Sequence, residues 1–167
     1  MSKRLNIIVL GFVLAASAWP SEAAEMSAAS KSAASVKVED GKNFDAKGNP
    51  TYNIAPDGTV DWYTFSGYRR YGNCLTCHGP DGGGSSFAPN LTQSLKTLSY
   101  DQFVSTVING KNNVMPSWGT DKNVVCYLDD IYVYLRARAD GVQGNGRPEK
   151  HVVKPPEVTK AENECMG

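Results

Sequence analysis

The chain has 167 residues, with 17 lysine and arginine side chains against 17 aspartate and glutamate. That length holds one modest domain with extensions. The even charge balance excludes nucleic-acid binding through a global positive field.

The N-terminus reads as an export signal. Lys3 and Arg4 form the basic start, Ile7 to Ala18 is an apolar run of 12 residues, and Ser21-Glu22-Ala23 offers a small-residue cleavage site. Twelve apolar residues fall short of a bilayer span. The expectation is a signal peptide over 1–24 and a soluble periplasmic product with no stable membrane insertion. Its removal leaves 15 basic and 16 acidic residues. Residues 25–35 are rich in Ala and Ser without apolar periodicity and read as a flexible linker. Residues 36–63 form a turn-rich extension. Lys47-Gly48-Asn49-Pro50 and Ala55-Pro56-Asp57-Gly58 are turn signals, with Tyr52, Ile54, Val60 and Trp62 between and after them. The periodicity there is too brief to require a hairpin. Asp57 and Asp61 raise calcium binding as an unsupported option, because their spacing does not match an EF-hand loop.

A domain over residues 64–141 carries the chemistry. The spacing predicts a first helix from Ser66 into Cys74, with Tyr68, Tyr71 and Leu75 on one stripe. Cys74-Leu75-Thr76-Cys77-His78 follows. Two thiols three positions apart and an adjoining imidazole are the c-type haem attachment pattern. The thiols add across two vinyl groups on one haem edge, and His78 then lies under the iron as proximal ligand. Half of a zinc site and a thioredoxin-like pair are the alternatives. The first lacks a second ligand pair, and the second does not call for the following His.

Gly82-Gly83-Gly84-Ser85-Ser86 must be a loop, and no Lys-Ser/Thr ending makes it a phosphate loop. Leu91, Leu95 and Leu98 suggest a short helix after Asn90. Ser99 and Gln102 form a capping box, Gly110 is a C-terminal stop, and Phe103, Val104, Val107 and Ile108 share a face between them. A last helix starts at Thr120 or Asp121, carries Val124, Leu128, Ile131 and Leu135, and ends before Gly141.

Met115 is the leading second ligand for the iron. It lies 37 residues after His78 in a loop stiffened by Pro116. A thioether raises the potential, whereas the other reading is a gap-filling core Met. His151, the other histidine, sits in the tail and reads as a surface residue. Ligands on both sides of the iron favour outer-sphere electron transfer over an enzyme. An open sixth position, as in a haem enzyme or gas sensor, is the alternative.

Residues 142–167 form an extended basic tail with Gly146-Arg147-Pro148 and Lys154-Pro155-Pro156. Cys126 faces away from the core stripe of the last helix, and Cys165 ends the tail. In an oxidising compartment the pair is expected to form a disulfide tether, with two free thiols as the other option. The tail's Arg147, Lys150, Lys154 and Lys160, with Arg136 and Arg138, read either as a field that steers an acidic partner or as ordinary solvated charge.

Residues 64–140 resemble a class I c-type cytochrome domain, an all-α monohaem fold. The stretches Thr59 to Tyr71, Cys77-His78-Gly79-Pro80-Asp81, Ala88-Pro89-Asn90-Leu91, Met115-Pro116-Ser117-Trp118-Gly119 and Val125 to Leu135 resemble the four-cysteine, methanol-metabolism-related cytochromes. These are similar in role to cytochrome cL. The resemblance implies one covalent haem c, with the Pro89 carbonyl accepting from the His78 ring and Trp118 against the haem or a propionate. It also implies a quinoprotein methanol or alcohol dehydrogenase carrying pyrroloquinoline quinone as electron donor. The acceptor would be a soluble cytochrome c or an oxidase. A generic periplasmic cytochrome serving another dehydrogenase is the runner-up.

Overall fold

The computed structural model describes Ser35 and residues 37–167. The signal peptide and nearly all of the linker therefore lie outside the described residues. The extension folds into a three-stranded antiparallel sheet in sequential order, β1 (Lys37–Glu39), β2 (Lys42–Phe44) and β3 (Pro50–Thr51). Asp45 sets the second turn, accepting from the N–H groups of Lys47 and Asn49 at 2.8 and 2.9 Å.

Seven helices follow. They are α1 (Trp62–Arg70), α2 (Gly72–His78), α3 (Leu91–Ser94), α4 (Tyr100–Asn109), α5 (Lys122–Val125), α6 (Leu128–Ala139) and α7 (Pro156–Met166). Among the described residues no helix is long and apolar enough to cross a membrane.

The first helix starts four residues earlier than expected because Asp61 caps it. Its carboxylate accepts from the Thr64 N–H at 2.9 Å and the Thr64 hydroxyl at 2.7 Å, which satisfies donors that a helix start leaves open. The same carboxylate accepts from the Asn53 N–H at 2.6 Å, and Asp57 accepts from Thr59 and pairs with Lys150. Both carboxylates considered for calcium are thus engaged by their own turns. The helix breaks at Tyr71, and Leu75 falls on the exposed side of α2, at 45% exposure, rather than on the stripe with Tyr71. The capping box is as expected: Ser99 Oγ accepts from the Gln102 N–H at 3.2 Å, and Gln102 Oε1 accepts from the Ser99 N–H at 2.9 Å. The last helix is split at Cys126-Tyr127, with Asp121 capping its first piece.

The core lies where α1 crosses α6. Gly67 is at the crossing, and a Cβ there would overlap the Asp130 carbonyl and press on Tyr134 Cβ. The apolar stripe predicted for α6 is buried, with Ile131 and Leu135 at 2% and 1% exposure, each burial stabilising by about 1.5–3 kcal/mol. Tyr132, Val133, Tyr134 and Ala137 are buried too. An amphipathic stripe does not announce this. The opposite face is covered by the extension, where Tyr52 donates to Asp140 at 3.0 Å and Lys42 pairs with Asp129 at 2.7 Å.

The tail departs from the extended form expected. Pro155 and Pro156 open α7 instead of excluding it, because proline at a first helical position lacks only a donor that has no partner there. The Cys126–Cys165 disulfide holds α7 against α5, with 5.8 Å between the Cα atoms. Much of the positive charge is neutralised locally: Arg136 pairs with Asp140, Lys154 with Glu162 and Lys150 with Asp57. His151 is not a plain surface residue. Its ring stacks on Phe65 at 3.6 Å, and its backbone bridges Val60.

Two outcomes follow from the crossing. Gly67→Ala should lower the unfolding free energy by about 3 kcal/mol or more in urea titration, because the clash is with backbone that cannot turn aside. Asp130 is buried, and burial pushes its carboxyl up to about 7 against the pull of Lys42 at 3.9 Å. The native state therefore holds a proton that an unfolded carboxylate releases near pH 4, so stability falls as pH rises from about 4 to 7. Asp130→Asn should flatten that part of the stability–pH curve.

Candidate functional site

Tyr71 ends α1 and starts α2, its N–H donating to the Gly67 carbonyl at 2.9 Å while its carbonyl accepts from the Cys74 N–H at 2.8 Å. Helix α2 then carries Cys74, Cys77 and His78 at three- and four-residue spacing, which sets them on one helical face. Cys74 is half-buried and Cys77 exposed, and neither is in a disulfide. Burial, with a smaller contribution from Cys77, pushes the Cys74 thiol up to about 11. Thioredoxin-like pairs work through a lowered thiol, and burial here acts in the opposite direction.

His78 is 7% exposed. Its Nδ1–H donates to the Pro89 carbonyl at 3.0 Å, since a carbonyl only accepts. That fixes the tautomer and leaves the Nε2 lone pair for a metal. The backbone behind the ring is held closely. Gly84 N–H donates to the His78 carbonyl at 2.7 Å, Gly79 N–H donates to Leu75 at 2.9 Å, and Ser85 Oγ donates to the Cys77 carbonyl. The glycine-rich stretch is a loop as expected, opening with a 3-10 turn over Pro80–Gly82.

Met115 lies in a tight loop between α4 and α5. Lys111 and Met115 exchange backbone hydrogen bonds, both 3.0 Å, around Asn112 and Asn113, which take left-handed φ of 55° and 56°. Gly110 is required beneath, because a Cβ there would overlap the Met115 carbonyl. Ser117 Oγ donates to the Ile108 carbonyl at 2.5 Å and Trp118 N–H to Val107 at 3.1 Å. Cys74, Met115 and Trp118 are all partly buried at the margin of the same core, as are Leu91, Leu98, Val104 and Ile108.

The structure thus joins His78 to Pro89 directly and packs Cys74, Met115 and Trp118, each partly buried, against the core. Two free thiols, an imidazole with a free Nε2, a thioether and half-covered apolar side chains suit a covalently attached haem. Sequence reasoning missed Tyr71 and Asp81. The Tyr71 hydroxyl donates to the Gly79 carbonyl at 2.8 Å, and Asp81 Oδ1 accepts from Tyr134 OH and Gly146 N–H at 3.1 and 3.0 Å. Asp81 in a left-handed turn, with φ of 58°, was the available hint. Its partners 53 and 65 residues away carry no local signal.

A helical domain with this motif order is that of a class I c-type cytochrome. Residues 65–135 match the family model described as cytochrome c oxidase, cbb3-type, subunit III. Cytochrome c-555 of Methylococcus capsulatus is 44% identical over 93 residues, covering 54% of this chain and 75% of that protein. Cytochrome c-553I of Paracoccus denitrificans is 49% identical over 138 residues, covering 78% of this chain. The chain spans 61% of that relative's length. The crystal structure of the c-type cytochrome XoxG from Methylobacterium extorquens AM1 is similar at 52% identity and a TM-score of 0.75, covering 78% of this chain and 85% of that one. The chain belongs to the c-type cytochromes, and its cofactor is a single covalently bound haem c.

Proposed function

We propose that the protein is a periplasmic one-electron carrier, not an enzyme, in the oxidation of methanol or a related alcohol. The donor is a quinoprotein dehydrogenase carrying pyrroloquinoline quinone, and the acceptor is a soluble cytochrome c or an oxidase. In the organisation we propose, residues 64–141 are the haem domain, framed by the extension 36–63 and the tail 142–167. A signal peptide over 1–24 and a linker over 25–35 precede them.

The observation that carries the reading is the His78 Nδ1–H bond to Pro89, which commits one ring nitrogen and frees the other, beside two unpaired thiols. The likeness to XoxG over most of both chains supports the methanol assignment. Haem c supplies reversible one-electron chemistry at its iron. Cys74 and Cys77 would hold the macrocycle to α2, and the Nε2 of His78, oriented by Pro89, and the sulfur of Met115 would be the side-chain ligands offered to its iron. The backbone bridge between Lys111 and Met115 fixes the loop that carries that sulfur, and Trp118 packs against the core from the same loop. Two side-chain ligands of this kind would leave no position on the metal for a small molecule.

Met115→Ala should abolish the far-red sulfur-to-iron charge-transfer band of the oxidised protein and let carbon monoxide bind the reduced form rapidly. An unchanged spectrum would remove Met115 from the site. In stopped-flow mixing, methanol-reduced quinoprotein dehydrogenase should reduce the oxidised holoprotein, with a rate that rises and saturates with partner concentration. Negligible reduction at saturating partner would reject the donor.

A further inference from the structure

Two buried tyrosines clamp one loop. Tyr71 and Tyr134 are 4% and 0% exposed, with ring centroids 5.8 Å apart. The Tyr71 hydroxyl donates to the Gly79 carbonyl, and the Tyr134 hydroxyl donates to Asp81 Oδ1. Gly146 N–H donates to the same carboxylate oxygen, and Arg138 Nε donates to the Asp81 carbonyl at 3.3 Å. The far side of this loop rests on the segment that faces the His78 ring. A Cβ on Gly79 would stand 2.5 Å from the Gly84 carbonyl oxygen. One on Gly84 would stand 2.7 Å from Asn90 N and 3.1 Å from the Pro89 carbonyl carbon. No side chain lies between these backbones to absorb a shift.

We propose that Tyr71 and Tyr134 are positioning residues that press the Gly79–Gly84 loop onto Pro89 and so set the strength of the hydrogen bond at His78 Nδ1. This rests on His78 as the axial ligand. A tighter bond at Nδ1 makes the imidazole a stronger donor at Nε2 and favours the oxidised metal. Loosening the clamp therefore raises the reduction potential. It also exposes the Nδ1 proton, which the Pro89 carbonyl otherwise shields from exchange. Gly146 and Arg138 place the tail and the last core helix in the same clamp, so the region beyond residue 141 bears on the redox site without touching it.

The test uses the holoprotein with Tyr71→Phe and Tyr134→Phe, each of which deletes one hydroxyl and keeps the ring. Tyr100→Phe is the control, because its hydroxyl serves Asp129 at the start of α6 instead of the loop. The readouts are the midpoint potential and the solvent-exchange rate of the His78 Nδ1 proton by NMR. Each loop variant should speed exchange by about fivefold, the weight of one ordinary hydrogen bond, and shift the potential upward, while the control leaves both at the wild-type value. Wild-type potentials and exchange rates in both loop variants would overturn the proposal. So would an equal shift in the control, since that marks general loosening. If the His78 ring of the oxidised wild type shows no hyperfine shift, the ligand assignment itself fails and this inference with it. A normal His78 signature with unmoved potentials overturns the inference alone.

Discussion

The close passage of α1 over α6 at Gly67 is the constraint on which the rest depends. A helix pair that meets backbone to backbone is held in one crossing, and that crossing fixes where the two helices lie relative to each other. The end of α1 is Tyr71, from which α2 and the two thiols leave. The middle of α6 is Tyr134, which reaches the loop behind His78. The site is therefore placed by a contact that contains none of its own residues. This is the ordinary way in which a core of apolar and aromatic side chains confers precision on groups that must not move.

The helical framework was largely legible from local signals. Capping side chains, glycine stops and apolar spacing act within a few residues, and the Ser99–Gln102 box and the Gly110 stop appear in the structure where those signals put them. Boundaries failed where a tertiary demand intervened. The start of α1 was read from apolar spacing alone, which passed over Asp61 as a cap. The break at Cys126-Tyr127 divides a pattern that looks continuous by spacing. The final helix was missed because consecutive prolines argue against a helix interior but are compatible with its first turn.

The site shows the same division. Cys74, Cys77 and His78 lie within five residues of one helix, so their chemistry is visible in five letters. The left-handed asparagines that shape the Met115 loop and the Tyr71 hydroxyl bond to Gly79 follow from no periodic pattern, and the Tyr134 hydroxyl acts across a long stretch of chain. A hydrogen bond from residue 134 to residue 81 leaves no trace in either neighbourhood. The tail's charge is weighed only in the fold, for a related reason: a count of basic residues ignores the carboxylates laid beside them.

Four cysteines serve two opposed ends in this protein. Cys126 and Cys165 must be oxidised to lock α7 in place, whereas Cys74 and Cys77, in the attachment proposed above, must be thiols when they add to the porphyrin. Four such residues can be joined in three ways, and two of those cross-link the attachment helix to the tail. Maturation thus has to discriminate between sulfur atoms that are chemically alike. Order of events would do so: a cofactor seated on α2 before the C-terminus arrives leaves a single pair to close.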